Sequence, residues 1–185
     1  MSARLPGPRI SVADYERMIT AGILTEDHKV ELIRGEILAK MAIGDPHIAA
    51  VNRLNYLFGD AARGRAQVSV QNPIMLADSE PEPDVCLLRP KADFYASGKP
   101  RVADALLVIE VADSSLERDR DVKGPLYAEN GVSEYWIVNV IDRCIEVYRR
   151  PRPDGTYGDV RTLRPGETTD VAALPGVSVA VADVL

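Results

Sequence analysis

Long apolar runs are missing from this chain, cysteine is scarce, and no basic tract stands out. No stretch approaches the roughly 18 consecutive apolar residues that a membrane helix needs, which argues against a membrane protein. The N-terminal run Met1-Ser2-Ala3-Arg4-Leu5-Pro6-Gly7-Pro8 has no apolar segment after its arginine, so it does not read as a signal peptide. The 2 cysteines, Cys86 and Cys144, both sit in apolar, strand-like runs. Buried free thiols in a reducing compartment are the simplest account, no cysteine metal spacing exists, and the expected location is the cytoplasm. Internal repeats and low-complexity tracts are absent too.

Positive charge is thin. Lys and Arg number 22 against 28 Asp and Glu, a net charge of −6. The one local basic cluster is Arg149-Arg150-Pro151-Arg152, which reads as a solvated face. Proteins that live on phosphate contacts usually show a basic face, so the balance argues mildly against a strong nonspecific nucleic-acid binder. An acidic metal site would account for part of it.

What is present suits one α/β domain over residues 1–185, with 46% apolar residues to build a core. Residues 11–21 read as a short helix capped by Ser11, with Asp14 three residues on and Gly22 to close it. Residues 30–33 and 36–39 flank Arg34-Gly35, a hairpin signal. Asp45 is the expected cap of the next helix, Pro46 suits its first turn, and Ile48, Val51, Leu54, Leu57 and Phe58 form one apolar stripe. Strands are expected at 67–70, 73–77, 85–88 and 106–112, with Phe94-Tyr95 anchoring the polar loop before the last. Residues 116–130 read as helix that Gly124-Pro125 should kink or restart. A second hairpin covers 134–140 and 144–148, and weak strands follow near 157–163 and 177–181. Trp136 and Tyr135 are expected in the core.

Glu110 is the anomaly. It ends Ala105-Leu106-Leu107-Val108-Ile109, a run apolar enough for a strand buried on both faces. A carboxylate there carries a large desolvation cost unless it meets a cation, a metal or several donors. Asp84 opens the run Val85-Cys86-Leu87-Leu88, so two acids can converge where two strands lie side by side. Hydrolysis of a phosphodiester at a magnesium site needs hard oxygen ligands and a nearby cation. Asp84 and Glu110 supply the acids, the main-chain carbonyl of Val111 a third donor, and Lys123 the cation. Asp119, Lys123 and Tyr127 share a helix face if Gly124-Pro125 leaves the turn intact. Taken singly, Asp84 also reads as a solvated acid of a proline-stiffened turn, and Lys123 as a surface partner of Asp119.

These residues match a family. Val30-Glu31-Leu32-Ile33-Arg34-Gly35-Glu36-Ile37, His47, Pro83-Asp84, Glu110-Val111-Ala112-Asp113-Ser114-Ser115, Asp119 with Lys123, and the string from Leu126-Tyr127 to Tyr135-Trp136-Ile137-Val138 carry the likeness. Over about residues 11–150 the chain resembles the Uma family of restriction-endonuclease-like proteins, a branch of the PD-(D/E)XK nuclease superfamily. The resemblance implies a restriction endonuclease-like α/β core, a central mixed sheet flanked by helices. N-terminal and C-terminal hairpins are additions to it, and 151–185 form a C-terminal β extension. It further implies dependence on Mg²⁺ or Mn²⁺ and a homodimer. The superfamily lysine would stand at Ala112; in this branch Lys123 looks like its replacement from the next helix. Glu31 and His47 recur in the family pattern as residues of the same pocket. Glu31 also reads as a solvated hairpin acid, and His47 as a residue capping its own helix.

Two function classes follow. One is a metal-dependent endonuclease acting on DNA, with RNA or another phosphate ester as a variant substrate. The other is a catalytically weak or inactive binding or assembly protein on the same fold.

Overall fold

The computed structural model describes residues 9–185. Helix α1 (Val12–Thr20) starts where Ser11 Oγ accepts the Asp14 N–H at 3.1 Å, the cap that the sequence signals. Strands β1 (Val30–Ile33) and β2 (Glu36–Ala39) pair as an antiparallel hairpin. Arg34 and Gly35 both take left-handed backbone, φ 50° and 75°, as a two-residue hairpin turn requires.

Helix α2 (Asp45–Ala61) is capped at Gly44, not at Asp45, and no side chain supplies a cap bond. Asp45 instead lies in the first turn with Pro46. Its buried stripe is His47, Ala50, Val51, Leu54 and Phe58, whereas Ile48 is 43% exposed. The inward face is thus rotated from the expected one. That rotation carries His47 to the sheet.

A six-stranded sheet follows in the order β3 (Gln67–Val70), β4 (Val85–Leu88), β5 (Ala105–Ala112), β6 (Glu134–Asn139), β7 (Cys144–Pro151) and β8 (Tyr157–Leu163). β5 and β6 run parallel and every other neighbouring pair antiparallel. All eight residues of β5 are buried, because both faces are covered. On one face Leu107, Ile109, Val111 and Trp136 pack against α2 and the C-terminal residues Val171, Leu174, Val177 and Val179. On the other, Val108, Ala112, Tyr135 and Ile137 meet Leu126, Tyr127 and Ile33. The two-residue side-chain period puts Glu110 on the second face, with Val108 and Ala112. The chain closes with β9 (Thr168–Asp170) and β10 (Ser178–Ala180), an antiparallel pair, and α5 (Val181–Val184). Among the described residues no helix is long and apolar enough to cross a membrane.

The strand expected at 73–77 is absent. The segment has only an isolated bridge from Met75 to Arg101. Pro73, Pro81 and Pro83 have no N–H to offer a ladder; residues 74–81 turn back on themselves, the Ile74 N–H donating to the Pro81 carbonyl and the Leu76 N–H to the Ser79 carbonyl, and bridge the hairpin once, Glu80 to Leu32. In the loop before β5, Tyr95 is the anchor, its hydroxyl donating to the Arg89 carbonyl at 2.7 Å, while Phe94 is 77% exposed.

Lys99 joins this crossing segment to α1 by pairing with Glu80 and Glu16. Burial pushes the Glu80 carboxyl up to about 7; Lys99 offsets part of that, and Glu16 raises it further. Its Oε2 is buried without a partner among the described residues. Glu16 is drawn below its ordinary value, since the bonds from Lys99 and Glu80 outweigh its own burial.

Two outcomes follow for stability. Phe58 is fully buried, its ring 6.2 Å from that of Trp136, so Phe58→Ala should cost about 3–5 kcal/mol in urea unfolding. A loss near zero would mean that α2 is not docked as described. A raised acid pKa means the folded chain binds that proton more tightly than the unfolded chain does. The Glu80 contribution is therefore full below about pH 4.5 and lost as pH rises through about 7. Glu16, with its lowered value, acts below that window. Stability measured from pH 4.5 to 7 should fall less steeply in Glu80→Gln than in the parent, and an identical slope would sink the assignment.

Candidate active site

The site lies where the C-terminal end of β5 meets the start of β4. Antiparallel register brings Val85 opposite Ile109, so Asp84 and Glu110 arrive together from adjacent strands. The Glu110 carboxylate is 3% exposed. Its Oε1 accepts from Lys123 Nζ at 3.0 Å and from the Tyr127 hydroxyl at 2.8 Å. Lys123, 6% exposed, also stands 3.4 Å from Glu31 Oε2. Glu31 projects from β1 into the same pocket, with Arg118 Nη1 3.9 Å from its other oxygen. Asp84 is held on both oxygens. Oδ1 pairs with His47 Nε2 at 3.0 Å and accepts from Gln71 Nε2 at 3.3 Å, while Oδ2 accepts the Val111 N–H at 2.9 Å.

The lysine reaches this point through an unusual helix. Between α3 (Leu116–Arg118) and α4 (Gly124–Glu129), residues Asp119–Lys123 form a π-turn, closed by the Gly124 N–H donating to the Asp119 carbonyl. A π-turn carries an extra residue. The restart expected at Gly124-Pro125 does occur: α4 begins at Gly124, the wider turn before it absorbs the extra residue, and Pro125 sits in the first turn of α4, where it needs no N–H. Asp119, Lys123 and Tyr127 are all buried toward the sheet. Asp119 is held by Ser115 Oγ at 2.6 Å, and Lys123 faces Glu110 and Glu31.

Electrostatically the cluster is short of positive charge. Burial raises the Glu110 carboxyl well above its ordinary range; Lys123 opposes this, and Asp119, Asp84 and Glu31 add to it. Asp119 is raised mainly by burial, with Lys123 and Ser115 opposing. For Lys123, burial favours the neutral amine, but Glu110, Glu31 and Asp119 outweigh it and hold the ammonium protonated. For His47, burial likewise pulls down and is overcome by the bond to Asp84 and its charge, with the Val111 backbone adding to the rise. Four carboxyl groups thus face the Lys123 ammonium, the His47 imidazole and, at the edge, the Arg118 guanidinium.

The donor chemistry fits a hard divalent cation. Among the described residues no three His, Cys, Asp or Glu side chains form a ready-made metal cluster. Magnesium does not need one, because it is commonly held by one or two carboxylates and keeps several waters. Asp84 and Glu110 are such a pair, in a cavity of about 90 Å³ that both line.

Sequence reasoning missed several neighbours of the site. Gln71 reaches Asp84 only through the β3–β4 pairing, and Arg118 fastens the end of β2 by donating to the Ala39 carbonyl at 2.9 Å. Neither contact has a local sequence signal. Trp136 and Tyr135 are core, as expected, and lie fully buried. Arg149 pairs with Glu134 and Asp170, and Arg150 with Asp159, so most of the basic cluster is tied up locally, away from the cavity.

Comparison with known proteins gives the family. Residues 12–182 match the family model Uma2, described as "putative restriction endonuclease". The match extends past residue 150 into the C-terminal β elements. Among solved structures, the chain is similar to one described as "a putative nuclease belonging to DUF820" from Anabaena variabilis. Identity is 14%, with 95% of this chain and 97% of that one covered and a TM-score of 0.74. At that identity the likeness shows a shared fold. No curated protein matches the sequence. With the family model spanning nearly all of it, the chain belongs to the Uma2 family of restriction-endonuclease-like proteins.

Proposed function

We propose that this protein is a metal-dependent endonuclease that hydrolyses DNA phosphodiester bonds. One observation carries the reading: Asp84, Glu110 and Lys123, from two strands and a following helix, converge on one small acidic cavity. Asp84 and Glu110 would hold Mg²⁺ or Mn²⁺, with the Val111 carbonyl as a further oxygen donor. A cation bound there would supply Lewis acidity toward the phosphate and a water acidified at neutral pH.

The chain's own residues do the rest. Lys123 stays protonated, so it serves as a fixed positive charge and hydrogen-bond donor, not as a base. It would orient the attacking water and offset charge gathering on the phosphate oxygens. Tyr127 and Glu31 hold Lys123 and Glu110 in register, and Asp119 adds negative charge beside the ammonium. His47 and Gln71 fix one oxygen of Asp84 and the Val111 N–H the other, which holds the carboxylate in the cavity wall. Cutting both strands of a duplex would take two such sites, in keeping with the homodimer that the family resemblance implies.

A second reading keeps the fold without strong catalysis. Ala112 stands where the superfamily lysine would be, and the net charge is −6. Calorimetry separates the two. Micromolar Mn²⁺ binding that Asp84→Ala abolishes supports the enzyme; no binding by the parent protein supports the inactive form.

For catalysis, Glu110→Ala should abolish nicking of supercoiled plasmid in Mg²⁺ or Mn²⁺. Equal cleavage by parent and variant would assign the activity to a contaminant. Lys123→Met should lower turnover by about 10²–10³ while Mn²⁺ affinity, read by calorimetry, holds or rises, because a competing cation has gone. A parallel loss of metal binding would place Lys123 in support of the carboxylates only.

A further inference from the structure

The acidic cavity has a rim of opposite character. The loop between β2 and α2 places Met41, Ala42 and Ile43 at its mouth, with Met41 42% and Ile43 51% exposed. This loop is fastened at both ends. Arg118 bonds the Ala39 carbonyl before it, and Gly44 after it lies so close to Asp113 that a Cβ would come within 2.9 Å of the carboxylate. Its apolar side chains are therefore held outward beside the site.

Size and charge limit what can sit there. About 90 Å³ holds a cation, a few waters or one phosphate group, well short of the roughly 300 Å³ of a small ligand pocket. A nucleoside attached to that phosphate must lie outside, on the rim. The rim's cations are few and already engaged: Lys40 pairs with Glu82, and Arg118 faces Glu31. An intact duplex offers its outer surface chiefly as phosphate, and gripping it takes many cations. An unpaired strand also offers base faces, which apolar side chains can cover.

We propose that Met41 and Ile43 seat the base and sugar of an unpaired nucleotide beside the scissile phosphate, making single-stranded DNA the preferred substrate over intact duplex. The inference rests on the nuclease reading. It adds the form of the substrate and two residues that select it.

The test uses the full chain and a dye-labelled oligonucleotide, single-stranded or annealed to its complement. Anisotropy in Ca²⁺ should show the single strand bound about tenfold more tightly than the duplex. The double variant Met41→Ser, Ile43→Ser should lose about that factor on the single strand, with duplex binding, Mn²⁺ affinity and thermal midpoint unchanged. Ile48→Ser, exposed on α2 but not at the mouth, should bind like the parent. Duplex bound as tightly as single strand, or no effect of the double variant, overturns the inference. If Glu110-dependent cleavage is then equal on both forms, the nuclease reading stands without it; if neither form is bound or cut with Mn²⁺, both fall.

Discussion

The buried contact between Glu110 and Lys123 is the constraint around which the site is built. A carboxylate inside an eight-residue buried strand can be tolerated only with partners, and the chain builds them in from two sides. Lys123 and Tyr127 come from the helical segment on one face, Glu31 adds a second acid for the lysine, and the β1–β2 hairpin brings that acid into place. Removing one partner would leave an uncompensated buried charge, which is far more damaging than removing both. The hairpin, the central sheet and the α3–α4 segment are therefore mutually dependent through a handful of charged atoms.

Stability and chemistry pull against each other here. A well-packed apolar cluster in the same position would hold the fold at least as firmly. Four carboxyl groups around Lys123, His47 and, at the edge, Arg118 instead leave the region short of positive charge. That deficit is what a bound cation would relieve. The rim adds a separate property, since its apolar side chains contribute little to the core.

Much of this was legible in the chain. The strong apolar run around 105–112 marks β5, and the oddity of a carboxylate at 110 within it marks the site. Ser11, Arg34-Gly35 and Pro46 marked local features through steric and hydrogen-bonding rules that depend on near neighbours only. The failures had nonlocal causes. Residues 73–77 have an extended, apolar look, yet they fold back on residues 79–81, and the prolines at 73, 81 and 83 offer no N–H to a ladder. Ile48 and His47 compete for the inward face of α2, and the pairing of His47 with Asp84, 37 residues away, accompanies the outcome in which His47 wins. Gln71 and Arg118 meet the site through strand pairing and helix placement that no short motif encodes.

The π-turn makes the position of Lys123 a matter of counting. Each residue advances an α-helix by about 100°, so closing 119–123 into ordinary α-helix at its present length would rotate what precedes it relative to α4 by about that amount. Lys123 and Tyr127 would keep their relation to the sheet, while Asp119 and Arg118 would swing away from the cavity and from β2. The wide turn is thus what keeps the clamp on the rim loop and the lysine on the same side. Length in this short helical stretch carries information that residue identity alone does not.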